Sequence, residues 1–376
     1  MSTLRVTAER LTIHPHDNAD ALELAQVGLY RAVVGKGQFR TGDWALYIPE
    51  GAQLPDELIA ELGLTGKLAG SKKNRIKAVR LRGELSQGVV CLPAAVRDVD
   101  LATAGDRDFA GELGVTKWIP PIPVSMSGDV VSAPDLLKWI EIEDIKRYPG
   151  IFEAGEPVVA TEKIHGTACL YSLVLDGDGS GGDGSGGEGD GGEKDGEEFV
   201  SSKGFGSRNM ALVHNPQNLY WRAIESYGVA DAARRIAEMF GAGRVGVFGE
   251  VFGRGVQDLS YGANGTSEQL GYAVFDIKVA VGVDPPRWLN PDELTEVLDK
   301  TGLPAVPVLY EGPYDEAALI ELASGRETVS GTAEHLREGL VVRSADGRYS
   351  PVTAGRAIAK FVSPAYLTRK GGTEYE

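Results

Sequence analysis

The chain has 376 residues, a formal charge of −16 and 42% hydrophobic residues, enough for two domains that each bury a core. No apolar run approaches the length of a membrane span, and Met1 to Arg10 has no apolar signal-peptide core, so neither a membrane protein nor a secreted one is expected. Cys91 and Cys169 each sit in an apolar strand-like run and read as buried thiols rather than a disulfide or metal pair, which places the chain in the cytoplasm; the five histidines show no metal-ligand spacing.

Residues 1–120 alternate apolar and polar positions over short segments: Leu4–Ile13, Glu23–Val27, Tyr30–Val34, Trp44–Ile48 and Val89–Leu92. Gly28, Gly35-Lys36-Gly37, Gly42-Asp43 and Pro49 punctuate them, the cadence of a small β-barrel. Within this region Lys67, Lys72, Lys73, Arg75, Lys77, Arg80 and Arg82 form a run of seven cations in sixteen residues with no acid before Glu84. On an otherwise acidic chain such a run suits nucleic-acid phosphates. No aromatic residue is interleaved with it, which favours backbone contact over base stacking. Pro120, Pro121, Pro123 and Pro134 mark a linker over 121–135, and the second domain is expected over 136–376.

The most informative stretch follows. Val158, Val159 and Ala160 read as a strand that delivers Lys163 to the turn Ile164-His165-Gly166, after which a second apolar strand runs from Ala168 to Leu175. A lysine amine can attack phosphorus and hold a nucleotide as a phosphoramidate once its charge is lost. Gly166 lets backbone or ligand approach closely. Asp176 to Glu198 carries nine acids and one base among Gly and Ser, half of the net charge; such a tract cannot bury a core and is expected to be a disordered insertion in a hairpin. A helix is predicted from about Leu219 to Phe240, ended by Gly241, and another from Asn290, where Asn-Pro-Asp-Glu supplies a capping box. Strand-like runs at Val245–Val251, Tyr272–Val279, Gly339–Arg343 and Ile358–Val362 complete an α+β domain of antiparallel sheets and helices around a cleft.

Four later motifs agree with the lysine: Phe248-Gly249-Glu250-Val251-Phe252-Gly253, Val274-Phe275-Asp276-Ile277, Glu338-Gly339-Leu340-Val341-Val342-Arg343 and Ala357-Ile358-Ala359-Lys360-Phe361. In this order they resemble the covalent nucleotidyltransferase superfamily of ATP-dependent ligases and capping enzymes, and within it the RNA ligases, whose first motif has His where DNA ligases tend to have Asp. His14-Pro15-His16-Asp17-Asn18-Ala19-Asp20-Ala21-Leu22 looks like the turn of tRNA-binding OB domains, and the fifth RNA-ligase family is similar in placing an OB domain ahead of the catalytic one.

The resemblance implies roles. Lys163 is the nucleophile, Lys360 a cation on the α-phosphate, and Glu338 a residue that orients the lysine and a metal. The ATP-binding set is Glu162, His165, Gly166, Lys203, Glu250, Phe275 and Arg343. Of these, Glu250 would bond the ribose, Phe275 stack on adenine, and Glu162 and His165 shape the adenine pocket and the step after adenylylation. Lys203 stands where the family usually has arginine, with Arg208 a nearby substitute; Val362 replaces a second lysine common in relatives, which makes Arg343 a helper. A free lysine has a pKa of about 10.4, so Lys360 and a bound divalent ion are expected to depress that of Lys163. Lys72, Lys73, Arg75, Lys77 and Arg80 would grip nucleic acid.

The function implied is an ATP-dependent RNA ligase that requires Mg²⁺ or Mn²⁺ and seals RNA or RNA/DNA duplexes with 3′-hydroxyl and 5′-phosphate ends, acting as a monomer. Only sixteen residues follow Lys360, whereas DNA ligases and capping enzymes place an OB domain there. The alternative is an RNA- or tRNA-binding protein with an inactive nucleotidyltransferase domain, against which the intact Lys163, Glu250, Glu338 and Lys360 argue.

Overall fold

The computed structural model describes residues 3–119, 122, 124–175, 196–262 and 270–369. Near the N-terminus two antiparallel three-stranded sheets form. One joins Thr7–Arg10, Trp44–Ile48 and Val89–Cys91; the other joins Thr12–Pro15, Leu22–Val27 and Tyr30–Gly35. The one strand expected over Leu4–Ile13 is broken at Leu11, which is buried and bonds Asp43 and Gly42 through its backbone, so the chain crosses from one sheet to the other. Period-two alternation explains why Trp44–Ile48 is buried on both faces. Ala45 and Tyr47 meet Ala25, Ala32 and Val90 inside the barrel, whereas Leu46 and Ile48 meet Leu58, Ile59 and Phe109 outside it.

The C-terminal part is built on two sheets. In the larger, the antiparallel order is Val130–Ser132, Met210–Leu212, Glu197–Ser202, Thr167–Val174, Arg244–Phe252, Gly271–Ala280, Arg287–Trp288. The smaller runs Glu143–Asp144, Ile358–Val362, Gly339–Ser344, Pro157–Lys163, Val308–Pro313, with only the first pair parallel. Helices Leu219–Ser226, Val229–Phe240 and Pro291–Thr301 cover one face of the large sheet through residues such as Ala232, Ile236 and Leu298 against Tyr171, Val247 and Ile277. Helix Glu316–Ala323 covers the small sheet through Leu319 and Ala323 against Val158, Leu340 and Phe361. The two uncovered faces confront each other across a cleft.

Three boundaries differ from expectation. Val130–Ser132 pairs with Met210–Leu212, so part of the proline-marked segment 121–135 belongs to the second domain; three residues are too few for alternation to register. Residues 176–195 of the acidic tract lie outside the described residues, but Glu197 and Glu198 are strand, paired with Val174 and Leu173, and Arg234 bonds Glu198 at 2.6 Å. The single helix expected over 219–240 is two, because Gly228 takes φ +60° between them. Gly241 closes the second helix in the same left-handed conformation, and Asn290 and Glu293 form the expected capping box. Both cysteines are buried free thiols. Among the described residues no helix is long and apolar enough to cross a membrane.

Candidate active site

Lys163 ends its strand opposite Gly339, and Lys360 lies one strand further, opposite Val341. Alternation puts Thr161, Lys163, Val341, Arg343 and Lys360 on the cleft face of the small sheet. The turn Ile164–Gly166 then carries the chain into the large sheet, where Ala168 pairs with Glu250. Gly166 is required at that crossing: a Cβ there would collide with the carbonyl oxygen of Val251 and lie 2.9 Å from Cγ of Glu250. The carboxylate of Glu250 accepts the Gly166 N–H, and the Gln257 side chain donates to the Gly166 carbonyl. Lys163 Nζ donates to Glu338 Oε1 at 2.6 Å.

The cleft holds a cavity of about 190 Å³ with Lys163, Lys203, Glu250, Phe275, Arg343 and Lys360 in its wall, together with apolar surface from Trp139, Ile142, Phe248, Trp288 and Val306. Phe275 reaches it through a β-bulge: Val274 opposes Gly249 and Asp276 opposes Phe248, which leaves Phe275 as the extra residue. Lys203 reaches the wall while bonding Glu141 at 2.9 Å, whereas Arg208 turns back onto Gly204 and the Phe205 ring. Arg343 is buried and its guanidinium donates to the Phe275 carbonyl at 3.0 Å, 3.7 Å from Asp276, so it braces the bulge instead of projecting as a free phosphate ligand. A second cavity, about 350 Å³, lies at the junction of the two domains. Lys163, Glu338, Lys360 and Val362 line it from one side, and Arg75, Lys77, Lys117 and Glu50 from the other. Lys163 and Lys360 thus stand between the two cavities.

The two cleft lysines differ in their electrostatics. Burial lowers the pKa of Lys163, but the carboxylates of Glu338 and Glu250 outweigh it and hold the amine above its ordinary value. The depressed lysine is Lys360, taken down to about 8 by burial and by the nearby charges of Lys163 and Lys203, with Asp144 opposing. Glu250 is pushed up to about 8, first by burial and then by Glu338, against the pull of Lys163.

Of the two residues expected to shape the adenine pocket, one lies in the cavity wall and one does not. Glu162 is in the cavity wall, and its fully buried carboxylate accepts from Thr328 N and Oγ1 through Oε2 at 2.9 and 2.6 Å. His165 is absent from the cavity wall; its Nε2 bonds Asp258 Oδ1 at 2.6 Å, its Nδ1 meets the Tyr366 hydroxyl at 2.6 Å, and its backbone N–H donates to the Tyr261 hydroxyl at 2.7 Å. Burial lowers its pKa despite Glu338 and Asp258.

The basic run divides. Lys72, Lys73 and Arg80 are exposed, and Lys77 faces the junction cavity. Arg75 is only 3% exposed, with its guanidinium 3.9 Å over the Trp118 ring. It is a packed structural cation, and Trp118 is an aromatic partner that the local sequence did not reveal. Sequence reasoning also missed Asp144, Asp258, Tyr366 and Arg369. Ser363-Pro364, an N-cap followed by proline, was the available signal for the short helix Pro364–Leu367 that carries Tyr366.

Among the described residues no group of three or more His, Cys, Asp or Glu could hold a metal by itself. Glu338 does offer a hard oxygen, Oε2, 3.9 Å from His165 Nδ1. One or two carboxylates with the remaining sites left to water and phosphate is the donor set that Mg²⁺-like ions accept.

Lys163 thus stands at the seam of two facing sheets, between a largely apolar cavity and one lined by charged residues of both signs. The chain belongs to the RNA ligase family, whose sequence model matches residues 156–362; an OB-fold domain model matches residues 5–94. The fold is similar to that of a Naegleria gruberi RNA ligase. A lysine-to-alanine variant of that enzyme with ATP and Mn superposes with a TM-score of 0.75 at 22% identity, covering 96% of this chain and 98% of that one. The same ligase with PPi gives 0.74 at 22% identity over 96% and 97%. A glutamate-to-alanine variant with AMP and Mn gives 0.74 at 22%, again over 96% and 97%. Comparison with curated protein sequences gave no match.

Proposed function

We propose that this RNA ligase uses ATP to adenylylate Lys163, passes AMP to a 5′-phosphate and seals that end to a 3′-hydroxyl at nicks in RNA-containing duplexes. The observation that carries the proposal is the position of Lys163, bonded to Glu338 between the two cavities. The apolar cavity suits adenosine, with Phe275 as the stacking ring and the Glu250 carboxyl as ribose partner; a base–aromatic contact is worth about 1–3 kcal/mol. The junction cavity, with Lys77 and Lys117 opposite Lys360, suits the departing pyrophosphate. The complexes of the N. gruberi ligase with ATP, AMP, PPi and Mn support this assignment.

In the first step the Lys163 amine attacks the α-phosphorus; the N–P bond forms as the bond to the β-phosphate oxygen breaks, and pyrophosphate leaves with the electron pair. Glu338, hydrogen-bonded to Nζ, is placed to receive or relay the proton. Its effect on the resting enzyme is the reverse, since it keeps Lys163 protonated until charge is added nearby. Bound through Glu338, Mg²⁺ or Mn²⁺ would supply that positive charge and neutralise the phosphate. Lys360, on the same cleft face as Lys163, would meet the α-phosphate, whose developing charge would raise its pKa from about 8 and keep it cationic. In the second step a 5′-phosphate oxygen displaces Lys163 from AMP, and in the third the 3′-hydroxyl attacks that 5′-phosphate and expels AMP. Lys72, Lys73 and Arg80 lie on the exposed surface of the barrel domain, where they would meet the duplex backbone.

The test is to offer the protein nicked duplexes with RNA or DNA in each strand position, ATP and Mg²⁺ or Mn²⁺. Sealing of nicks with an RNA 3′-hydroxyl strand is expected. Sealing of single-stranded RNA alone, or of all-DNA nicks with equal efficiency, would overturn the substrate assignment.

A further inference from the structure

The segment after the last cleft strand borders the junction cavity through Tyr366 and Leu367 and also makes a set of contacts outside both cavities. Ser363 N–H donates to the Glu338 carbonyl at 2.8 Å, which seats the Pro364–Leu367 helix beside the lysine's partner. From it the Tyr366 hydroxyl reaches His165 Nδ1 at 2.6 Å. Arg369 stacks 3.8 Å over the Tyr366 ring and holds both oxygens of Asp258, at 3.0 to 3.1 Å. Asp258 in turn takes His165 Nε2 at 2.6 Å.

The donor and acceptor chemistry of these partners fixes the imidazole. A carboxylate clamped by Arg369 can only accept, so the ring proton sits on Nε2. Nδ1 is then an acceptor, and the Tyr366 hydroxyl occupies its lone pair. The consequence falls on Glu338, whose Oε1 holds Lys163 at 2.6 Å and whose Oε2 lies 3.9 Å from His165 Nδ1. Without the Tyr366 hydroxyl, a proton moved to Nδ1 would place a donor 3.9 Å from Oε2 of the same carboxylate that holds Lys163 through Oε1.

We propose that Tyr366 and Arg369 are positioning residues that lock His165 in its Nε2–H tautomer and thereby keep its Nδ1 from donating to Glu338, the partner of Lys163. This rests on the reading of Lys163 as the adenylylated residue. The remaining groups facing the imidazole are consistent with the lock: Tyr261 engages only the backbone N–H of His165, and Arg369 reaches it only through Asp258. None of His165, Tyr366, Asp258 and Arg369 lines the adenosine cavity, and Tyr366→Phe keeps the ring that Tyr366 contributes to the junction cavity, so loss of the lock should slow the chemical step and leave nucleotide affinity alone.

Two measurements on the full chain test the proposal. Nitrogen-15 NMR of the imidazoles, in a protein with only five histidines, should show His165 as a single Nε2–H tautomer and a mixture in Tyr366→Phe. In single-turnover adenylylation Tyr366→Phe should lower the rate constant by about tenfold or more, the scale of a slight misplacement of reacting groups, with the half-saturating ATP concentration unchanged. In a His165→Ala background the same substitution should have no further effect. An unchanged His165 tautomer in Tyr366→Phe, or an equal loss in both backgrounds, would overturn the proposal. If wild-type protein forms no lysyl adenylate at all, the functional reading fails while the tautomer result still stands or falls separately.

Discussion

Replacing Glu250 with glutamine should stabilise the protein at alkaline pH while removing its nucleotidyl transfer. Glu250 projects from the large sheet into the cleft near Lys163 and Glu338, and its folded pKa is pushed from 4.5 up to about 8, by burial first and Glu338 next. The unfolded chain releases this proton near 4.5, whereas the folded chain retains it until about 8. Between those values the folded state binds the extra proton, so rising pH favours unfolding. With about 1.4 kcal/mol per pKa unit, the penalty added between pH ~5.5 and ~8.5 is roughly 3 kcal/mol. Glutamine keeps the shape and an acceptor for the Gly166 N–H but cannot ionise. The Tm of Glu250→Gln relative to wild type should therefore rise with pH, by on the order of 5–10 °C across that interval for a domain of this size. Thermal unfolding followed by circular dichroism at a series of pH values reads this directly. A difference in Tm that does not widen as pH increases, or a variant less stable than wild type near pH ~8.5, would refute the assignment of Glu250 as a strained buried acid.

Gly166→Ala should abolish adenylylation and destabilise the protein by about 1–3 kcal/mol or more, read by denaturant midpoint, because its Cβ meets the Val251 carbonyl oxygen. Lys360→Ala should reduce the adenylylation rate by about a hundred- to a thousandfold, the scale of removing one transition-state donor, while Tm changes little or increases, since its burial already opposes its charge. Reversing charge at Lys72 and Lys73 should weaken duplex binding and flatten its salt dependence without altering Tm. Arg75→Ala should do the opposite, lowering Tm through loss of the Trp118 stack while the salt slope of binding stays the same.

The residues that converge in the cleft were legible because their motifs sit in or beside apolar strand-like runs: Lys163, Glu250 and Lys360 lie in strands of the facing sheets, and Glu338 directly precedes one. Asn290 and Gly241 were legible for a different reason, since caps are local chemistry. What the sequence hid was set by contacts across long separations. The charge state of Lys163 depends on Glu338, 175 positions away, and no local feature says that this carboxylate outweighs burial. His165 was given to the adenine pocket from its place in the first motif, but Asp258 and Tyr366, the latter 201 residues downstream, hold its ring outside the cavity wall. Arg75 sits among exposed cations and looks like one of them until Trp118 covers it.

The central claim is that Lys163 carries AMP. Intact-mass analysis of the protein after incubation with ATP and Mn²⁺, followed by peptide mapping, tests it most directly. One added AMP, on Lys163, lost when pyrophosphate is supplied and absent in Lys163→Ala, is the predicted result. An unmodified wild-type protein, or AMP that remains attached in Lys163→Ala, would contradict it.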